Sequence, residues 1–375
     1  MKQQFQLQVR KAPFTRPSAI VVGLGPIGRE VAQLVLERSE VLRLSGCVDR
    51  APALVDRPLS DVLERAALRG RVAADIPPAP AQRAIAFVTT TSSVTSVLRT
   101  VEAALARGYH VVSSTEELSY PAFRAAAAAA RLHRAAVRAK RCIVGTGINP
   151  GFAMDVWPLV LTSNMQSVDA VEVHRAVDAR QRREPLQRKI GAGMTPAAFE
   201  ALAAAGRIGH VGLAESAAHL AGALGWPIDR LDENLAPVVA TQRIRTRYFD
   251  VAPGQVCGIH HRVAGMQGTQ KRILLDLRMS LDVDEPRDEV RLSGNPPVHC
   301  IVPGGFHGDR ATAAQLVAAA VRLPDLPPGL HLASDLPAPR WSARSISIRW
   351  KPPRGAAPSR RNGRRATTRR SGASR

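Results

Sequence analysis

The sequence predicts an α/β protein in two parts: a parallel sheet covered by helices on both faces, then an α+β region built on an open mixed sheet. Three observations carry this. Short, continuously apolar segments alternate with helical ones through the first 150 residues, as in a doubly covered parallel sheet. A glycine turn, Gly23-Leu24-Gly25-Pro26-Ile27-Gly28, joins the first apolar segment to the first helix. After Phe152 the pattern changes to longer segments of alternating character, which suits antiparallel strands.

The elements follow in order. Residues 1–17 are polar and basic, with Pro13 and Pro17, and read as a loose leader. The strand Ala19–Val22 runs into the glycine turn and a helix with apolar period at Ile27, Val31, Leu34 and Val35. This is the setting of a Rossmann dinucleotide-binding turn. Gly23 allows the bend, Gly25 leaves room for a pyrophosphate, and Gly28 lets helix and strand pack closely. Pro26 and Ile27 bring the helix N-terminus up to the anion. A second strand ends at Asp49-Arg50. There Asp49 would bind the ribose diol of NAD, while Arg50 would neutralise the 2′-phosphate of NADP, so NAD or NADP is the expected cofactor. Leu59–Ala67 reads as a short helix.

The apolar strand Ala84–Val88 ends in Thr89-Thr90-Thr91-Ser92-Ser93 before a helix over 94–107, and His110–Ser114 ends in hydroxyls before Thr115-Glu116-Glu117. Ligands of open parallel sheets lie beyond the strands' carboxyl ends, so Thr90, Thr91, Ser92 and Thr115 are expected at the cofactor; Ser92 or Ser93 also serves to cap the next helix. An alanine-rich helix opened by Pro121 runs to about Lys140, and Cys142–Val144 is the fifth strand. The expected domains are 18–150 for the dinucleotide, 151–307 for substrate and dimerisation, and 308–340 as a helix returning to the first domain. In the second part, helices are expected at 154–161, 196–205, 213–224 and 311–321. Strands are expected at 168–177, 242–251, 255–263, 272–283, 289–292 and 297–302.

The 375 residues are 45% hydrophobic, enough for a sizeable core, and no stretch is long and apolar enough to span a bilayer. A cytoplasmic protein without membrane attachment is expected. The four cysteines form no CxxC pair, so neither a metal site nor a disulfide framework is indicated. The net charge is +21, but residues 341–375 carry +11 of it with no acidic residue, leaving +10 for the rest. This Pro-, Gly-, Ser- and Arg-rich tail is expected to be disordered, and any nucleic-acid binding to be non-specific and confined to it.

Five segments together resemble a known family: Thr115-Glu-Glu-Leu-Ser-Tyr-Pro121, Gly145-Thr-Gly-Ile-Asn-Pro-Gly-Phe-Ala-Met-Asp155, Leu186-Gln-Arg-Lys-Ile-Gly-Ala-Gly-Met-Thr195, Gly209-His-Val-Gly-Leu-Ala-Glu-Ser216 and Gly304-Gly-Phe-His-Gly-Asp-Arg-Ala311. The chain is similar over about residues 18–340 to the 2,4-diaminopentanoate dehydrogenases and their dihydrodipicolinate reductase-like relatives. The resemblance implies an NAD(P)-dependent oxidoreductase acting at the amine or imine carbon of a small amino compound, in a homo-oligomer such as a dimer or tetramer. It places Asn149 at the nicotinamide and lends Lys189 a proton-donating role. The paired histidines and Asp-Ala-Pro-Ser-Gly-Thr loop of the reductases proper are missing, so dihydrodipicolinate is not the expected substrate. Two alternatives remain at this stage: a nucleotide-binding sensor without activity, and a reductase of the dihydrodipicolinate type.

Hydride transfer needs a proton manager, and the catalytic candidates are Lys189, His307 and Glu117. Lys189 follows Arg182, Arg183 and Arg188, which would hold a carboxylate, and adjoins a glycine loop; composition alone also fits a solvated basic loop. His307 stands before the last helix as a candidate relay, beside Asp309, which equally serves as a helix cap. Glu116 and Glu117 end a strand where a carboxylate can bind an amine or act as base, and also suit a helix entry. His210 with Glu215 offers an ammonium site or a plain first-turn acid. His260 and His261 point to opposite faces of a strand, against joint metal ligation.

Overall fold

The computed structural model describes residues 16–337. Its first half alternates β1 (Ser18–Val22), α1 (Pro26–Glu37), β2 (Arg43–Val48), α2 (Leu59–Val62), β3 (Ile85–Val88), α3 (Val94–Ala106), β4 (His110–Ser113), α4 (Ala122–Ala139) and β5 (Cys142–Gly145). There follow α5 (Val156–Thr162), β6 (Ser167–Asp178), α6 (Glu184–Lys189), α7 (Pro196–Ala204), α8 (Leu213–Leu224), β7 (Arg230–Val239), β8 (Ile244–Arg245) and β9 (Asp250–Val251). The last elements are β10 (Val256–Gln267), β11 (Gln270–Ser280), β12 (Arg287–Asn295), β13 (Val298–Pro303), α9 (Gly308–Arg322) and β14 (Gly329–His331). The tail expected to be disordered lies outside the described residues.

The first sheet has the order β14-β5-β4-β3-β1-β2, and every pairing in it is parallel. Its inner strands β1, β3, β4 and β5 are buried on both faces because helices cover both. Val31 and Val35 of α1 share one core with Leu316, Val317 and Ala320 of α9. Val97 and Val101 of α3 share the other with Leu132 and Ala136 of α4. From β1 the chain goes one way to β2 and then the other way to β3. That reversal opens a crevice beyond the carboxyl ends of β1 and β3, where the glycine turn and Thr89–Thr91 lie.

The second sheet has the order β13-β12-β6-β11-β10-β7 and is mixed, because β6 and β11 pair in parallel while their neighbours are antiparallel. α8 packs on one face through Leu213, Ala217 and Leu220. Two local expectations need correction, and two strands escape the sequence pattern. Leu59–Ala67 is helical only to Val62. Residues 242–251 form the small β8–β9 hairpin, not a full strand. The strand β7 is hidden by its composition: Asp232, Glu233, Asn234 and Pro237 carry no strand pattern, yet an edge strand tolerates both charge and proline. The short β14 likewise carries no pattern long enough to register.

A buried carboxylate ties the end of the first sheet to α5 and α8. Asp155 Oδ2 accepts hydrogen bonds from Gly151 N (2.8 Å) and Ser216 Oγ (2.8 Å), and Oδ1 accepts one from Val156 N (2.6 Å). The side chain has no solvent exposure. Asp155→Ala strands these donors in the interior, and a loss of about 3 kcal/mol is expected. Urea unfolding should show it as a lower midpoint, with the isosteric Asp155→Asn losing less.

Candidate functional site

The glycine turn is fixed by close contact. Gly23 has φ +95°, and a β-carbon there would stand 2.8 Å from Thr90 Cγ2 and 2.9 Å from Thr89 O. A β-carbon at Gly28 would overlap the Gly23 carbonyl oxygen and stand 2.7 Å from Thr89 Oγ1. Gly25 differs: a β-carbon there would meet nothing within 4 Å. Gly25 borders two adjoining clefts, so this open space is where a ligand comes closest to the backbone. Gly25 is also the N-cap of α1 and offers no side-chain cap, leaving the first-turn N–H groups to an outside acceptor. A pyrophosphate fits this cradle.

The first cleft, about 680 Å³, is lined by Gly23, Asp49, Arg50, Asp75, Thr90, Thr91 and Arg107 among others. Asp49 is held rigidly: Oδ2 accepts from Leu24 N at 2.6 Å and Oδ1 from Ala51 N at 2.8 Å. It therefore braces the glycine turn and still presents free lone pairs to a sugar diol. Arg50 is mostly solvated, with 83% of its side chain exposed and Asp75 3.8 Å away. Thr115 lines neither cleft. It is buried, and its Oγ1 donates to Thr91 O at 2.8 Å, so it shapes the hydroxyl loop from behind.

The second cleft, about 430 Å³, shares Gly25, Thr90 and Thr91 with the first and also includes Pro26, Ile27, Ser92, Glu116, Asn149, Arg175, Arg182, Arg183, Lys189 and His210. Asn149 Oδ1 and His210 Nε2 are buried without a hydrogen-bond partner. Three of the four cations are answered. Arg175 donates to Asp288 Oδ1 (2.7 Å) and Phe306 O (2.8 Å), while Arg182 and Arg183 pair with Asp309 at 3.0 and 3.3 Å. Among the described residues Lys189 has no such partner, and its charge falls on Glu116 and His210. Burial raises the Glu116 carboxyl above its ordinary range, against the pull of Lys189 and a hydrogen bond from Ser92. Burial and the positive charges of Lys189, His261 and Arg175 hold His210 far below the usual imidazole value, so it is neutral at pH 7.

Two catalytic candidates sit elsewhere. Glu117 turns to α3, where its Oε2 accepts from Val94 N at 2.8 Å, and it is the neighbouring Glu116 that borders the cleft. His307 is exposed, and its Nδ1 caps α9 by accepting from Arg310 N at 3.4 Å. Glu215 is buried against Arg124 Nε at 2.6 Å and is not free for a substrate ammonium. Arg182 and Arg183 turn to Asp309, and Arg188 pairs with Glu184 on its own helix. The buried Arg175 had no sequence signal beyond lying in a strand.

The described residues contain no helix long and apolar enough to cross a membrane, and no cluster of three or more His, Cys, Asp or Glu placed to hold a metal. Residues 152–349 match the family described as the 2,4-diaminopentanoate dehydrogenase C-terminal domain. A 2,4-diaminopentanoate dehydrogenase of Acetoanaerobium sticklandii is 25% identical over 338 residues, which is 86% of this chain and 93% of that protein. Among solved structures, the amine dehydrogenase of Mycobacterium smegmatis shares the fold with a TM-score of 0.75 at 20% identity, covering 88% of this chain and 99% of that one. Since the matched segment is more than half of the 375 residues, the chain belongs to the 2,4-diaminopentanoate dehydrogenase family defined by that C-terminal domain.

Proposed function

We propose that the protein is an NAD(P)-dependent dehydrogenase that oxidises the amino-bearing carbon of a small amino compound to an imine, with hydrolysis to the carbonyl, and runs the reverse amination. One observation carries the reading: the glycine cradle opens directly into a cleft holding a carboxylate, a free ammonium and a neutral imidazole. The A. sticklandii relative makes 2,4-diaminopentanoate the first substrate to try. Self-association as a dimer or tetramer is proposed with it, on the family resemblance, and sedimentation analysis decides it.

The chain's residues divide the work. Gly25 and the first turn of α1 bind the pyrophosphate, Asp49 takes the adenosine ribose, and Thr90, Thr91, Ser92 and Asn149 border the path to the nicotinamide. The bound nicotinamide supplies the hydride acceptor. Glu116, its proton affinity raised by burial, takes a proton from the substrate ammonium. Lys189 counters the charge of Glu116 and donates toward the nitrogen in the reverse direction.

Two outcomes test this. Asp49→Ala should weaken NADH binding by about 10- to 100-fold, since a hydrogen bond to a carboxylate is worth about 1.5–3 kcal/mol; nicotinamide fluorescence measures it, and unchanged affinity sinks the assignment. Oxidation needs Glu116 ionised, so kcat/KM should rise with pH through a value above the ordinary carboxylate range and then level. Glu116→Gln should remove that limb and lower kcat about 100-fold. Lys189→Met should move the limb to higher pH, because the ammonium opposes the rise in Glu116.

A further inference from the structure

A row that includes three polar residues crosses a largely apolar face of the mixed sheet. Directly paired residues share a face, and the pairing runs Asp288–Arg175–Leu277–His261–Leu235 through β12, β6, β11, β10 and β7. The next row on that face is Val290, Val173, Leu275 and Val263, all core residues, and it ends on β7 at Glu233. Arg175 and His261 are each only 3% exposed. Burial of such groups costs stability unless every polar atom is answered. Arg175 is answered by Asp288 and Phe306 O. His261 is answered on one side alone: Nε2 lies 2.9 Å from Glu233 Oε1, while Nδ1 is buried without a partner.

His210 lies beside this row. A β-carbon at the preceding Gly209 would stand 2.6 Å from Leu235 Cδ2, and Leu235 is the direct cross-strand partner of His261. His261 and Arg175 both act electrostatically on His210. Gly212, two residues on, packs against Pro150, and a β-carbon there would stand 3.4 Å from Glu116 Cβ, which brings the same loop to the proton acceptor. His210 borders the cleft, yet its Nε2 is buried and unpartnered like Nδ1 of His261. At the far end Glu233 lies on the edge strand with 41% of its side chain exposed.

We propose that His210, His261 and Glu233 form a proton route between the catalytic cleft and solvent. The proposal rests on the dehydrogenase reading. In that reaction the substrate ammonium loses a proton, the carbon gives its hydride to NAD(P)+, and the protonated imine adds water and yields the carbonyl compound and ammonium. One proton is left over in each turnover. Glu116 takes it, His210 accepts it on one ring nitrogen and releases one from the other, His261 does the same, and Glu233 passes it to water. The charged groups facing this series are Lys189 of α6 and Arg175 of β6 at His210, and Arg124 of α4, which pairs with Glu233 at 3.4 Å. Lys189 and Arg175 act with burial to keep His210 neutral, while the Glu233 carboxylate faces His261 Nε2 at 2.9 Å. His261 and Glu233 line neither cleft and act through His210.

The test uses the full-length protein with NAD+ and 2,4-diaminopentanoate, in H2O and D2O. His261→Asn should lower kcat by about tenfold, within the range of proton-transfer effects, with KM for NAD+ unchanged. It should also raise the solvent isotope effect on kcat and be partly rescued by imidazole buffer. Glu233→Gln, at a half-exposed edge position, should show the same changes in milder form and decides the matter if the first variant fails to fold. Wild-type kcat and isotope effect in both variants, or in folded Glu233→Gln alone where His261→Asn is lost, would overturn the route. A wild-type protein that binds NADH but reduces NAD+ with no amino compound would instead overturn the dehydrogenase reading, and the route with it.

Discussion

The structure depends on how closely α1 approaches β1 and β3. Gly28 must lack a β-carbon because the Gly23 carbonyl occupies that space, and Thr89 Oγ1 donates to the same carbonyl at 2.8 Å. One contact thus binds the glycine turn to the end of β3 across the point where strand order reverses. It leaves the N-terminus of α1 facing open space, where a diphosphate can approach the backbone without displacing a side chain. Asp49 strengthens the arrangement from the β2 side by accepting from Leu24 N, so the residue proposed to recognise the sugar also holds the turn.

The second cleft is built by a different means, the placing of charge in a low-dielectric setting. Arg175 in the mixed sheet is neutralised by Asp288, which also accepts from Phe306 N at 2.6 Å. Arg182 and Arg183 reach across to Asp309 in the first turn of α9. Such pairs are costly to bury, and their value lies less in stability than in fixing where the surrounding segments sit. Here they fix the 180s loop against the start of α9, which places Lys189 at the mouth of the cleft.

Elements with a strong local period were legible in the sequence, and those defined by tertiary context were not. The parallel sheet could be read because each strand is a short apolar run between a helix and a turn. The edge strand β7 could not, since Glu233 and Pro237 suit an edge for reasons that appear only once its neighbours are known. The same divide holds in the site. Gly23, Gly25, Gly28 and Asp49 act through the local backbone, so their spacing was informative. Glu116 and Glu117 are adjacent acids at a strand end, and sequence offered no means to choose between one that caps α3 and one that faces the cleft. His210 gained its meaning from Arg175 and His261, both remote in the chain.

This difference bears on how the two clefts constrain chemistry. Cofactor recognition as proposed rests on backbone geometry and one carboxylate, which tolerates change in nearly all surrounding side chains. The proposed reacting end turns on Lys189, whose charge lowers the proton affinity of both Glu116 and His210. Removing Lys189 would raise Glu116 and relieve His210 together, so no single substitution there isolates one role. Substrate choice within this family is therefore expected to follow the residues that set this charge balance more than those that hold the nucleotide.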